Sequence, residues 1–337
     1  MPRKQRPRRV ERPSPVIQYR TFRNSDPPAL VELWNECFTN RGAYPLRNPA
    51  LLEICVFSKP YFDPAGLIIA EESGHVIGYA HAGFGPNQAE NGMSCEVGVV
   101  CAIAVRSLYR RQKIGAELLH RCEAYLQSMG AKEFIAGGQK PRNPFYFGLY
   151  GGGGSAGFLT SDPAAEPFFF HNGYQPNENC LVFERNLAKA EPVVDPRFVT
   201  LRRKYDVQLL PQAEIPSWWQ ECVLGQFEPV EFRLMDKFSG MPAARTFVFE
   251  MQGTKPGEQA AGILDLQVRP DARRQGLARY LLANSMRYLQ EQYFRRVETQ
   301  VMESNEIGKN LLLNLGFEQV DAGRTYRKAA PPKAPQS

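Results

Sequence analysis

The stretch Val268–Leu282, VRPDARRQGLARYLL, sets Arg273 and Arg274 at the point where an amphipathic helix begins. A helix N-terminus carries partial positive charge, so each cation there costs about 0.3–1 kcal/mol. A bound anion reverses that sign. The unpaired N–H groups of the first turn then become its donors. The two guanidinium groups become counter-charges whose fork geometry suits phosphate. Gly276 lets the main chain approach without a Cβ in the way, and Ala278 keeps the first turn narrow. Arg273, Arg274, Gln275, Gly276, Leu277 and Ala278 are therefore candidate ligands for a polyphosphate. The competing reading is a solvated basic helix start.

The same pattern occurs earlier, as VRSLYRRQKIGAELL at 105–119, offset by 163 residues. Val105, Arg106, Arg110, Arg111, Gln112, Leu118, Leu119, Tyr125, Leu126 and Gln127 recur in the second stretch. That is ten identities in 23 ungapped positions, and it indicates two copies of one fold. The first copy offers a possible second cofactor site at Val105, Arg110, Arg111, Gln112, Lys113, Ile114, Gly115 and Ala116. Lys113 stands where the second copy has Gly276.

These turns must be held by regular elements. An apolar, β-branched run precedes each one, GVVCAIAV at 98–105 and GILDLQV at 262–268. Both read as buried strands. A helix follows, apolar at 277, 281, 282, 286 and 289, which is the spacing of one buried face. A further strand comes next, at 132–136 and 296–301. Each copy then closes a helix on a glycine and an aromatic, Gly173-Tyr174 and Gly316-Phe317. Strand–helix–strand units imply parallel pairing in an α/β sheet.

The two closing glycines differ by 143 rather than 163, so the first copy carries 20 extra residues within 137–167. The insertion holds NPFYFGLYGGGGSAGF. Four consecutive glycines are expected to be flexible and unable to pack a core. Phe145, Tyr146, Phe147 and Tyr150 can wall a pocket, which makes this a candidate substrate loop. A structural loop or domain-interface filler is the equal alternative.

The order strand, Arg/Gln-x-x-Gly-x-Gly/Ala turn, helix, strand, then Asn305 and Gly316-Phe317 resembles the GNAT superfamily of acetyltransferases. The resemblance covers 16–187 and 197–328. It implies an α/β fold of two tandem GNAT-like mixed sheets flanked by helices, joined by a linker at 188–196. It implies acetyl-CoA as co-substrate, with diphosphate on the 273–278 turn, pantetheine along 264–268, and Leu266, Val268 and Asn305 in the cofactor site. An amide near Leu266–Val268 would polarise the thioester carbonyl. The intact loop glycine selects the second copy as the acetyl-CoA site, with the first shaping the cleft.

The implied reaction is direct attack by an amine of a small molecule or peptide in a ternary complex. Asp265, on the strand leading to the turn, is the first general-base candidate, and Glu303 the second. The tyrosine that such enzymes often use as acid is missing, because Phe169 and Leu312 stand at its two positions. A thiolate leaves readily, so turnover does not require that acid. A non-catalytic CoA-binding or scaffold module is the alternative reading. In the first copy, Glu96 and His171 are the only comparable groups.

Composition sets the outer limits. The chain has 337 residues, 43% hydrophobic and 23% charged, which suits a soluble two-domain protein. Its longest apolar run, Val97–Val105, is too short to cross a bilayer, and no signal-peptide core is present. The expected location is cytoplasmic, with no membrane partner. Seven scattered cysteines without a CxxC pair read as reduced thiols, and four isolated histidines give no metal-ligand spacing. Of the net charge of +6, residues 1–12 contribute +5. A basic, proline-rich arm at 1–15 is expected to be disordered, as is a tail at 329–337. Nucleic acid is a conceivable partner only through residues 1–13.

Overall fold

The computed structural model describes residues 16–251 and 259–331. The basic arm at 1–15 lies outside them, as do residues 332–337 of the expected 329–337 tail. Residues 329–331 are described, Ala329 pairing with Glu133 in the sheet and Ala330 N–H donating to Lys132 O at 3.0 Å. The first half runs β1 (Ile17–Thr21), α1 (Pro27–Cys37), α2 (Ala50–Leu52), β2 (Leu67–Glu72), β3 (His75–Pro86) and β4 (Met93–Val105). It continues through α3 (Ile114–Ser128), β5 (Glu133–Ala136), β6 (Phe158–Leu159), α4 (Ala165–His171) and β7 (Gln175–Asn186). The second half has α5 (Arg197–Lys204), β8 (Tyr205–Leu210), α6 (Trp218–Leu224), β9 (Val230–Asp236), β10 (Pro242–Met251) and β11 (Ala260–Val268). It ends with α7 (Leu277–Glu291), β12 (Arg296–Met302), α8 (Glu306–Asn314) and β13 (Glu318–Ala329).

The local signals hold. Leu277, Leu281, Leu282, Met286 and Leu289 are the buried stripe of α7. Gly173 and Gly316 take the left-handed conformation beyond α4 and α8, at φ 83° and 77°. Parallel pairing occurs where each strand–helix–strand unit requires it, β4 with β5 and β11 with β12. Among the described residues no helix is long and apolar enough to cross a membrane.

The two halves fuse into one 13-stranded sheet, in the order β1-β2-β3-β4-β5-β13-β7-β12-β11-β10-β9-β8, with β6 also on β13. The last strand of each half is exchanged. β13 lies antiparallel against β5 of the first half, and β7 lies antiparallel against β12 of the second. The cores follow the exchange. Leu181 and Phe183 of β7 pack with the α7 side chains, and Tyr326 of β13 packs with Leu118, Cys122 and Leu126 of α3. Each such buried side chain is worth about 1.5–3 kcal/mol. Neither half closes its own core alone.

The halves differ in one way that shapes the site. Residues 22–66, with α1 and α2, connect β1 to β2, whereas only residues 211–229, with the single helix α6, connect β8 to β9. The 20-residue insertion supplies what the second half lacks. The chain leaves the β5 line at Gly137 and returns beside it at Gly157, whose N–H donates to Gly138 O at 2.9 Å. Between those points it crosses onto the second half.

Candidate functional site

The two helix-entry turns are built alike to the level of single hydrogen bonds. Arg110 Nε donates to Val105 O, and Arg273 Nε to Val268 O, both at 3.1 Å. Gln112 Nε2 reaches Leu108 O, and Gln275 Nε2 reaches Asp271 O. Two residues in each turn are left-handed: Arg111 and Lys113 at φ 65° and 64°, Arg274 and Gly276 at 61° and 83°. The turns diverge in substitution rather than in path. Among the described residues, no acceptor meets the amides of Gln275 through Arg279, or those of Gln112 through Ala116. Such a row of unpaired donors at a helix start suits an anion. Leu277 and Ile114 anchor the helix starts, each buried beneath its turn. The guanidinium of Arg197, from α5, stands over Gly276; a Cβ there would lie 3.7 Å from it. Gly115 is narrowed instead by Phe168 of α4.

The strands that lead to the turns are bulged and then part. β11 pairs with β12 as far as Ile263 and Thr299, and β4 with β5 as far as Val100 and Ala136. Opposite β10, the residues Asp265 and Leu266 fill a place where one would fit, and Asp265 takes φ 53°. Cys101 is the extra residue opposite β3. A bulge re-aims the main chain and frees polar groups from the ladder. Leu266 and Val268 pack against the α7 core. Asp265, with its side chain 14% exposed, is ion-paired to Lys140 of the insertion.

The insertion's aromatics fill the first half. The Phe145 ring stacks on His81 at 4.2 Å, and Tyr146 stacks on Trp34 at 5.5 Å. Tyr146 Oη lies 3.0 Å from His81 Nδ1, and burial pushes the His81 pKa down to about 3. The cavity left beside Cys101 and Gly137, walled by Phe145, Tyr146 and Tyr150, holds about 20 Å³. That is room for about one water. Phe147 turns the other way, to Phe227 and Phe249 of the second half.

The glycine run overturns one expectation. Gly151, Gly153 and Gly154 are buried, the run packing as a glycine ribbon against Glu298 and Gln300 of β12. Gly153 N–H donates to Glu298 Oε1 at 2.6 Å, and Gln300 Nε2 donates to Gly151 O at 3.0 Å. A Cβ on Gly152 would lie 1.8 Å from Glu298 Oε1. The absence of side chains is what allows this packing, because the ribbon lies directly on a carboxylate. Glu298 is itself 1% exposed and ion-paired with Arg41 from the loop after α1. Beside this pair a cavity of about 450 Å³ opens between the halves, bordered by Arg41, Tyr44, Gly152, Met251, Arg296 and Glu298.

The remaining candidates are dispersed. Glu303 is exposed at the end of β12 and accepts from Asn179 Nδ2 at 2.8 Å. Asn305 caps α8, its side chain accepting from Gly308 N–H at 2.9 Å. Phe169 and Leu312 are buried apolar side chains. Glu96 is exposed and paired with Lys132, and His171 ends α4 on the surface. Sequence reasoning missed Lys140, Arg41 and Glu298. Only Glu298 carried a local signal, as a lone acid within the strand RVETQV.

Two units, each with a bulged strand, a parting parallel pair and a left-handed entry to the following helix, define a duplicated acetyltransferase-type fold. The chain belongs to the Acetyltransferase (GNAT) family, whose model matches residues 28–150 and 213–317, more than half of its length. Among solved structures it is similar to a tandem GNAT protein from the clavulanic acid biosynthesis pathway, at 17% identity and TM-score 0.67, over 95% of this chain and 100% of that one. It is also similar to a GCN5-related N-acetyltransferase from Sphaerobacter thermophilus, at 15% identity and TM-score 0.61, over 94% and 97%. A GCN5-related glucosamine N-acetyltransferase region of a fungal multi-domain β-N-acetylglucosaminidase aligns at 13% identity and TM-score 0.68, over 93% of this chain and 38% of that one. Comparison with curated proteins gives no match by sequence.

Proposed function

We propose that the second half binds acetyl-CoA and that the protein transfers its acetyl group to an amine of a small molecule or peptide, by direct attack in a ternary complex. The observation that carries this reading is the 273–278 turn, with its unpaired amides and Gly276 at φ 83°. The diphosphate rests on the amides of Gln275 through Ala278, with Arg273 and Arg274 as counter-charges. Pantetheine follows Leu264–Val268, and a main-chain N–H after the Asp265 bulge polarises the thioester carbonyl. Asp265 takes the proton from the amine, and the thiolate departs without help from the positions of Phe169 and Leu312. The filling of the first half's cleft supports the choice of half. In the first, the insertion leaves about 20 Å³ beside the bulge.

A second reading, a CoA-binding module without turnover, draws support from the apolar residues at both acid positions. Following CoA thiol release with a panel of amines separates the two. Asp265→Asn is expected to slow turnover by roughly 10²–10⁴-fold with acetyl-CoA affinity unchanged. An unaltered rate removes Asp265 from the mechanism. Acetyl-CoA binding without thiol release from any amine favours the module.

A further inference from the structure

Asp265 already has an amine beside it. Lys140 Nζ is ion-paired to Asp265 Oδ1, across 125 residues of sequence. Among the described residues, Lys140 is the only cation paired with this carboxylate. The main chain holds the lysine in place from both sides. Gln139 N–H donates to Arg142 O at 3.2 Å, and Pro141 O accepts from Trp219 Nε1 of α6 at 2.7 Å. Its side chain is half exposed, so the amine can exchange protons with water. A primary amine anchored beside the proposed base, at the bulge where a thioester would lie, has the arrangement of an intramolecular acceptor.

We infer that Lys140 is an acetyl acceptor in cis, so that the protein acetylates itself at this residue when acetyl-CoA occupies the second half. The inference rests on the proposed function and adds an acceptor to it. The ammonium gives one proton to Asp265, which passes it to water. The neutral Nζ attacks the acetyl carbonyl, forming a C–N bond as the C–S bond breaks. The second proton leaves with the CoA thiolate as free thiol. The products are Nε-acetyl-lysine, CoA and one proton. Acetylation removes the cation facing Asp265 and leaves that carboxylate open to an external amine.

The test uses the full chain incubated with isotopically labelled acetyl-CoA, followed by intact-mass measurement and peptide mapping. Wild type is expected to gain one acetyl group, mapped to Lys140, at least about tenfold faster than any other lysine. Gly276→Glu is expected to lose that preference, Asp265→Asn to slow it, and Lys140→Arg to abolish labelling at the position while keeping the fold by circular dichroism. Labelling of Lys140 at the pace of surface lysines, or equally fast in Gly276→Glu, identifies background chemical acylation and overturns the inference. Turnover of free amines with Lys140 unlabelled overturns it and leaves the proposed function standing. Acetyl-CoA binding with neither outcome overturns both.

Discussion

Lys113 and Gly276 occupy the same backbone position in the two halves, each left-handed at φ 64°, ψ 4° and φ 83°, ψ 8°, immediately before the first residue of a helix. A side chain in that conformation costs about 1–2 kcal/mol, while glycine carries no such penalty. Lys113→Gly is therefore expected to stabilise the protein by roughly 0.5–1 kcal/mol, after the extra freedom it gives the unfolded chain. Gly276→Ala is expected to cost about 1 kcal/mol through its backbone alone, since no atom outside its own neighbourhood lies closer than 3.7 Å to the new Cβ. Urea denaturation of the two variants measures both, and equal and opposite signs to those stated would contradict the shared geometry.

The glycine ribbon gives a sharper prediction. Gly152→Ala combines φ 77° with a Cβ placed inside van der Waals contact of Glu298, whose carboxylate is buried and held by Arg41. Moving Glu298 breaks its pairing and leaves a buried charge, which costs about 3–5 kcal/mol. The expected result is a large fall in the midpoint of unfolding, well beyond that of Gly130→Ala, where the φ is 108° and the space is open. Equal effects at the two positions would mean that the ribbon does not rest on Glu298.

Lys59 predicts a pH dependence. Its ammonium, from the first half, is buried and donates to Cys222 O near the C-terminal end of α6 and to Gln226 Oε1 at 2.8 Å. Burial lowers its pKa to about 8. The unfolded chain keeps that proton up to about 10.4. Between those values the unfolded state binds more protons, so unfolding free energy rises with pH across that window. Below pH 8 the cost of the buried charge is constant. From pH 7 to 9.5 the contribution grows by about 2 kcal/mol. The difference in stability between wild type and Lys59→Met should move in favour of wild type by that amount, and a difference independent of pH would refute it.

Strand exchange predicts that the halves are not separable. Because β13 completes the sheet beside β5 and β7 completes it beside β12, a chain cut within 188–196 gives two fragments, each with an open central edge. Each fragment expressed alone should aggregate or remain unfolded by circular dichroism, and co-expression should restore a folded complex. A folded, monomeric half would contradict the exchange.

Much of this was legible because it is local. The turn residues, the α7 stripe and the glycines closing α4 and α8 are set by neighbours within a few positions, and the repeat printed them twice. What was hidden is set by residues far apart. Nothing near β7 or β13 states which β5-type strand each will join. The role of the glycine run depends on Glu298 of β12, and the environment of Asp265 depends on Lys140, and both pairings form only when the insertion folds onto the second half. Phe145 and Tyr146 read as a pocket wall. Their packing on His81 and Trp34 required knowing that the first half keeps a longer β1–β2 connection than the second keeps between β8 and β9.

The account depends on which turn holds the diphosphate. Thermal unfolding of wild type, Gly276→Glu and Lys113→Glu, each titrated with acetyl-CoA, tests it directly. A ligand at a hundred times its dissociation constant stabilises by about 2.7 kcal/mol. The account predicts a saturable rise for wild type and Lys113→Glu and a flat response for Gly276→Glu. A Gly276→Glu protein that titrates like wild type, or a Lys113→Glu protein that alone fails to, would contradict it.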